Sequence, residues 1–295
     1  MSPKASRRLA AMLLREVEYV RPDTLQEAVR LLGDHDGARV LAGGQTLVNV
    51  MKQRAASPDV LVDISRLEEL KTVGFSAAGA TIEIGAAVTL TRLIASDEVA
   101  VARPELAEVA RTVADVQVRN RGTLGGNICV NDPTNHFPPL LVALGASMTI
   151  ISAQGAREVS AEEFFVGVYE TAVGEGDLLT RISVPTRASG SGAAMAGITL
   201  GAHGTYIASA AAAVRDGAWR IVVGCVAAVP VRATAAEAVL AGGPADEAAA
   251  RAALSGFGAS LDPPSDVHAS ADYRRHLAEV SAVRAVVLAS TRARG

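Results

Sequence analysis

The chain has 295 residues, 49% of them hydrophobic and 20% charged, which is enough apolar material for a sizeable core and excludes a disordered chain. Lys plus Arg is 28 against 31 Asp plus Glu, a net charge of −3, and aromatics are 3%; this balance argues against a nucleic-acid footprint or a base-stacking platform. Two cysteines without CxxC spacing, Cys129 and Cys225, give neither a disulfide framework nor a Cys-rich zinc or iron–sulfur site.

At the start, Lys4, Arg7 and Arg8 precede a short apolar stretch, Leu9–Leu14. A secretory h-region needs about 7–15 apolar residues, so an exposed arm is expected. Thr24-Leu-Gln-Glu27 reads as a capping box that opens a helix with Leu25, Ala28, Val29 and Leu32 on one face and Gly33 as its stop. Arg39–Ala42 is a short strand running into Gly43-Gly44, and Leu47, Val50 and Met51 recur at helical spacing. Val60–Ile64 and Thr81–Ile84 read as strands. Pro104 opens a helix to about Val113. Leu140–Ile151 is a helix followed by a strand, broken at Gly145, and Ser160-Ala-Glu-Glu163 is a second capping box.

After Pro185, residues 187–192 form a Gly/Ser linker into an Ala-rich strand region. Residues 188–214 lack Asp, Glu, Lys and Arg, but their glycines, hydroxyls and His203 fit buried sheet better than a membrane span. Ile221–Val229 is expected as a strand, and Thr234-Ala-Ala-Glu237 as a helix cap. Leu277, Val280, Arg284, Val287 and Leu288 place one face on a C-terminal helix. Strands and helices mix without a regular βαβ rhythm, which favours an α+β fold.

Two glycine-rich segments carry the chemistry. In Leu41-Ala-Gly-Gly-Gln-Thr46, between strand and helix, paired glycines allow a sharp turn and close ligand approach. Backbone N–H groups ahead of the helix then suit a phosphate. Gln117-Val-Arg-Asn-Arg-Gly-Thr-Leu-Gly-Gly-Asn127 offers further backbone donors, with Thr123 and Asn127 adding side-chain hydrogen bonds. Each segment alone serves equally as a tight turn without a ligand. Together they point to one elongated diphosphate ligand gripped from both sides. No GxGxxG follows a strand, no GxxxxGK[ST] occurs, and no GxSxG elbow appears.

The segment Leu41 to Arg54, with Gly43-Gly44-Gln45 and Met51-Lys52, resembles the first signature of the FAD-binding medium subunit of molybdenum hydroxylases. That family includes the carbon monoxide dehydrogenase and xanthine dehydrogenase group. Val118–Asn127 is similar to its second signature, and shorter matches run from Leu61-Val-Asp-Ile64 to Tyr273-Arg-Arg-His-Leu277. The resemblance implies a two-lobed FAD-binding fold of the vanillyl-alcohol-oxidase type plus a C-terminal α+β domain. The expected divisions are residues 1–72 (lobe 1 with the arm), 73–187 (lobe 2) and 188–295.

It also implies FAD contacts from Val40, Leu41, Ala42, Gly43, Gly44, Gln45 and Thr46, and from Thr123, Leu124, Gly125, Gly126, Asn127 and Cys129, with Leu179 near the flavin. Tyr206, in Gly204-Thr-Tyr206, matches an aromatic position near the isoalloxazine. Two residues depart from the family pattern: His136 and Thr205 stand where it carries acids, and His136 is expected either as a substitute donor to FAD or as a surface histidine.

By this resemblance the chain is a cytoplasmic electron-transfer subunit with no catalytic acid or base and no metal of its own. A large molybdenum subunit holding molybdopterin and a small [2Fe-2S] subunit are the implied partners, in a dimer of heterotrimers. Alternatives within reach of the sequence are a stand-alone flavin oxidoreductase of the same superfold and a structural subunit that has lost FAD.

Overall fold

A computed structural model describes residues 14–201 and 205–295, and places three sheets in succession. The first region holds β1 (Glu18–Val20), α1 (Leu25–Asp34), β2 (Arg39–Leu41), α2 (Leu47–Lys52) and β3 (Val60–Asp63). Its strands pair in parallel in the order β1-β3-β2. β3, at the centre, is buried at every position, as expected for a strand with both faces covered. Thr24 caps α1 by accepting from the Glu27 N–H, while the Glu27 carboxylate reaches the Asp23 N–H rather than that of Thr24. Gly33 lies inside the helix, which runs to Asp34.

The second region contains β4 (Val73–Phe75), β5 (Thr81–Gly85), α3 (Leu90–Ala95), α4 (Asp97–Ala102), α5 (Pro104–Thr112), α6 (Val116–Arg121), α7 (Leu124–Val130) and α8 (Phe137–Leu144). It continues through β6 (Ser147–Ser152), β7 (Gly155–Ser160), α9 (Ala161–Phe164), β8 (Phe165–Gly167), β9 (Glu170–Thr171) and β10 (Leu178–Pro185). Five strands form an antiparallel sheet, β4-β5-β10-β6-β7, and β8 and β9 form a separate hairpin. Every residue of α8 is buried, and Gly145 ends it in the left-handed conformation at φ 66°, the usual glycine stop.

The third region has β11 (Gly192–Thr199), β12 (Tyr206–Arg215), β13 (Ala218–Gly224) and β14 (Val231–Arg232) in an antiparallel sheet. α10 (Thr234–Val239), α11 (Glu247–Leu254) and α12 (Ala271–Ala293) follow. α12 lies across β11 and β12 so closely that a Cβ on Gly192 would stand 2.0 Å from the Ala289 carbonyl oxygen. α8 meets β12 and β13 from the other side, joining this sheet to the second core. Among the described residues no helix is long and apolar enough to cross a membrane. The arm at residues 1–13, His203 and Gly204 lie outside the described residues.

Three local expectations are corrected. The strand that starts before Ile221 stops at Gly224, because Cys225 turns out of the extended path at φ 66°. Thr234 caps nothing: Ala233 holds the N-cap position, and the Glu237 carboxylate instead binds the Ile221 N–H and Arg232. On α12 the deepest face is Leu277, Ala278, Ser281, Ala282, Ala285, Val286 and Ala289, whereas Arg284 and Leu288 are exposed.

Candidate functional site

The turn after β2 and the stretch before α7 meet. Gly43 lies against the backbone of Arg121 and Gly122, where a Cβ would be 2.0 Å from the Arg121 carbonyl oxygen and 2.9 Å from Gly122 Cα. Only a residue without a side chain permits that approach. Gly44, at φ 70°, supplies the left-handed step that turns the chain from β2 into α2. Between the two segments opens a cavity of about 590 Å³, within the roughly 300–1,000 Å³ of small-molecule sites.

Of the sixteen residues expected to contact FAD, thirteen line this cavity: Val40 to Thr46, Thr123, Gly125, Gly126, Asn127, Cys129 and Leu179. Leu124 is fully buried behind the wall. His136 and Tyr206 also lie off the lining and pack against each other instead, ring centroids 4.1 Å apart and tilted by 43°.

The two glycine segments offer different chemistry. The N–H groups of Gly43, Gly44, Gln45 and Thr46 have no partner among the described residues. Four such donors at one wall make an anion-binding concavity. α2 is only six residues long, so these amides rather than a long helix dipole carry the attraction. In the second segment the backbone donors of residues 124–127 are already used, while the Thr123 N–H has no partner among the described residues. Leu124 N–H bonds Val88 O at 3.0 Å, and Gly125 N–H bonds Ala86 O at 3.0 Å. Gly126 N–H bonds Thr123 Oγ1 at 2.9 Å, and Asn127 N–H bonds Thr123 O at 3.0 Å.

Gly125 is therefore a packing glycine. Its Cβ would meet Ala86 O at 2.5 Å, so this segment docks on the strand-end residues 86–88. α7 lines the cavity with Gly125, Gly126, Asn127, Cys129 and Val130. Burial pushes the Cys129 thiol up to about 12, which keeps it protonated and unreactive at neutral pH.

One wall was not legible beforehand. Tyr169, at the tip of the β8–β9 hairpin with φ 58°, and the run Val173–Leu178 line the cavity opposite the glycine segments. Asn131, itself left-handed at φ 42° and 1% exposed, holds the hairpin. Its Nδ2 donates to Gly167 O at 2.6 Å and Glu170 O at 3.0 Å, while its carbonyl accepts from Tyr169 N–H at 3.1 Å. The signals available were Asn131 after an apolar helix, and Gly174 and Gly176 as turn residues.

His136 is 7% exposed, and its Nδ1 lies 2.8 Å from Thr112 Oγ1. The Thr112 hydroxyl already donates to Val109 O at 2.7 Å, so Nδ1 carries the proton and donates. Burial lowers the imidazole from its usual value to about 4. A neutral ring thus occupies the position where the family pattern has an acid. The unfolded chain takes up this proton near pH 6.5 and the folded chain only near 4, so stability falls as pH drops through that window. His136→Asn should flatten the fall by about 3 kcal/mol between pH 6.5 and 4. Urea unfolding of both proteins across that range checks it, and parallel curves would refute it.

The cavity fits an extended dinucleotide on two counts: its volume, and the unpartnered amides that a diphosphate would take. Comparison with known proteins agrees. Residues 15–187 match the family described as FAD binding domain in molybdopterin dehydrogenase, and residues 200–289 match the CO dehydrogenase flavoprotein C-terminal domain. The chain is 35% identical over 275 residues to the glyceraldehyde dehydrogenase medium chain of Sulfolobus acidocaldarius, covering 92% of this chain and 97% of the relative. It is 36% identical to the carbon monoxide dehydrogenase medium chain of Afipia carboxidovorans, covering 94% and 98%. Among solved structures it is similar to carbon monoxide dehydrogenase from Hydrogenophaga pseudoflava, with TM-score 0.90, 37% identity and coverage of 95% and 99%.

Proposed function

The chain belongs to the FAD-binding medium subunits of the molybdenum hydroxylases, and from that membership we propose how its residues serve an oxidoreductase assembled from several chains. The observation that carries the reading is the row of unpartnered amides at Gly43–Thr46, facing a cavity that both glycine segments enclose. Those amides hold the diphosphate. Leu41, Val40 and Leu179 supply apolar wall, Cys129 adds a neutral thiol, and Asn127 completes the lining from α7. Bound FAD supplies a carrier that takes electrons singly and gives them up as a pair.

The chain contributes position and backbone electrostatics, and no acid–base residue is assigned. Substrate oxidation belongs to a large molybdenum subunit, and delivery of electrons to a small [2Fe-2S] subunit. Two such heterotrimers pair, the assembly is cytoplasmic, and the terminal acceptor takes electrons from the flavin. Residues 1–72 and 73–187 act as the two FAD-binding lobes, and 188–295 as the C-terminal domain. Purification of the tagged chain from cells expressing its partners tests this. A yellow complex with flavin absorption, containing one larger and one smaller chain, is the expected result. A colourless chain that purifies alone would overturn it.

A further inference from the structure

The first glycine segment treats its donors and its acceptors differently. The four N–H groups from Gly43 to Thr46 have no partner among the described residues, whereas all four carbonyl oxygens of the same residues have one. Gly44 O takes the Val48 N–H at 3.2 Å and Thr46 O takes the Val50 N–H at 3.0 Å, the usual bonds of a starting helix. Side chains hold the other two. Gln45 folds back so that its Nε2 donates to Gly43 O at 3.1 Å, and Asn49, on α2, donates from Nδ2 to Gln45 O at 2.8 Å. A backbone carbonyl only accepts, so these contacts set which end of each side-chain amide is nitrogen.

Each of these two carbonyls shares a peptide plane with one of the free donors: Gly43 O with the Gly44 N–H, and Gln45 O with the Thr46 N–H. In a trans peptide the two groups point in opposite directions, so a donor that holds the oxygen also holds the N–H. The hold matters most at the Gly43–Gly44 plane. Neither residue has a Cβ to resist its rotation, and a reversed plane would set an oxygen where an anion needs a donor. A hydrogen bond to the oxygen also polarises the N–H of the same plane. Gln45 lines the cavity, whereas Asn49 is exposed on α2 and lies off the lining. Resting on the FAD reading above, we propose that Gln45 and Asn49 are positioning residues: their side-chain amides lock the Gly43–Gly44 and Gln45–Thr46 planes with the N–H groups turned to the diphosphate.

The test uses the deflavinated full-length chain with Gln45→Met, Asn49→Leu and Asn49→Ser. FAD affinity is read by flavin fluorescence, and that of ADP, which shares the diphosphate, by calorimetry. Met has the length of Gln without its donor. Leu is a better helix former than Asn, so a purely helical role for position 49 predicts no loss in Asn49→Leu. A serine hydroxyl in a helix can bond the carbonyl one turn earlier, which restores the donor. FAD should weaken about tenfold in Gln45→Met and, at the exposed position, about threefold in Asn49→Leu. ADP should weaken by the same factors, Asn49→Ser should bind both as the wild type does, and thermal midpoints without ligand should not fall. Where Gln45→Met is poorly folded, the contrast between Asn49→Leu and Asn49→Ser decides. Unchanged FAD affinity in Asn49→Leu, a loss confined to FAD, or an equal loss in Asn49→Ser would overturn the assignment. A wild-type chain that binds neither ligand would instead overturn the FAD reading beneath it.

Discussion

Gly43→Ala should yield a chain that no longer retains FAD. Its new Cβ would lie 2.0 Å from Arg121 O, 2.7 Å from Arg121 C and 2.9 Å from Gly122 Cα. All three are backbone atoms, so no rotamer change relieves the clash, and the two segments must part. Overpacking against movable side chains already costs about 1–3 kcal/mol, and a rigid backbone places this change at or above the upper end. Loss of FAD affinity by at least about 100-fold is expected. Gly44→Ala should be milder. Its Cβ meets Leu41 Cδ1 and Val48 Cγ2 at 3.3 Å, and the main penalty is the left-handed φ of 70°, about 1–2 kcal/mol for a residue with a side chain. Flavin-to-protein ratios and FAD titrations of the two variants give the order. Equal losses, or a greater loss in Gly44→Ala, would refute the packing argument.

Adding FAD to deflavinated chain should raise its stability by about 2.7 kcal/mol at 100 times the dissociation constant. For a 295-residue chain, at about 2.1 cal/mol/K of unfolding entropy per residue, that is a rise of about 4 °C in thermal midpoint. The cavity walls come from β2 and the turn after it, from α7, and from the chain entering β10. A ligand bound there links the first core to the second, and both should gain protection. Scanning calorimetry at rising FAD concentration checks this. A midpoint that stays fixed while fluorescence reports saturation would mean that FAD binds the unfolded chain as well as the folded one, and so not in a cavity that folding builds.

The parts of the fold that local chemistry dictates were legible in the sequence. Thr24 and Ser160 cap their helices, Gly145 ends α8, and Pro104 opens α5. The face of α12 was misread because its buried stripe is marked by small residues rather than large ones. Ala278, Ala282, Ala285 and Ala289 allow the helix to lie almost on the backbone of β11 and β12, and the bulkier Val280, Val287 and Leu288 are left on the flank. Thr234 failed as a cap for a tertiary reason: Arg232 and the Ile221 N–H claim the Glu237 carboxylate that the capping box requires.

The site divides in the same way. Glycine pairs announced both segments, but sequence spacing carries no record of which amides remain free. Docking of residues 124–127 on Val88, Ala86 and Thr123 consumes their amides and leaves, among the described residues, those of Gly43–Thr46 and of Thr123 without a partner. Tyr169 enters the cavity through contacts made by Asn131, which lies 38 residues earlier in the chain. The stacking of His136 on Tyr206 joins α8's entry loop to β12, some 70 residues later, and is equally invisible to local pattern.

The most direct measurement is a crystal structure of the chain carrying FAD, read at the diphosphate. Its oxygens should lie within ordinary hydrogen-bond distance, about 2.7–3.2 Å, of the N–H groups of Gly43, Gly44, Gln45 or Thr46, with Arg121 still against Gly43. A diphosphate seated away from those amides, whether on α7 or outside the cavity, would contradict the account.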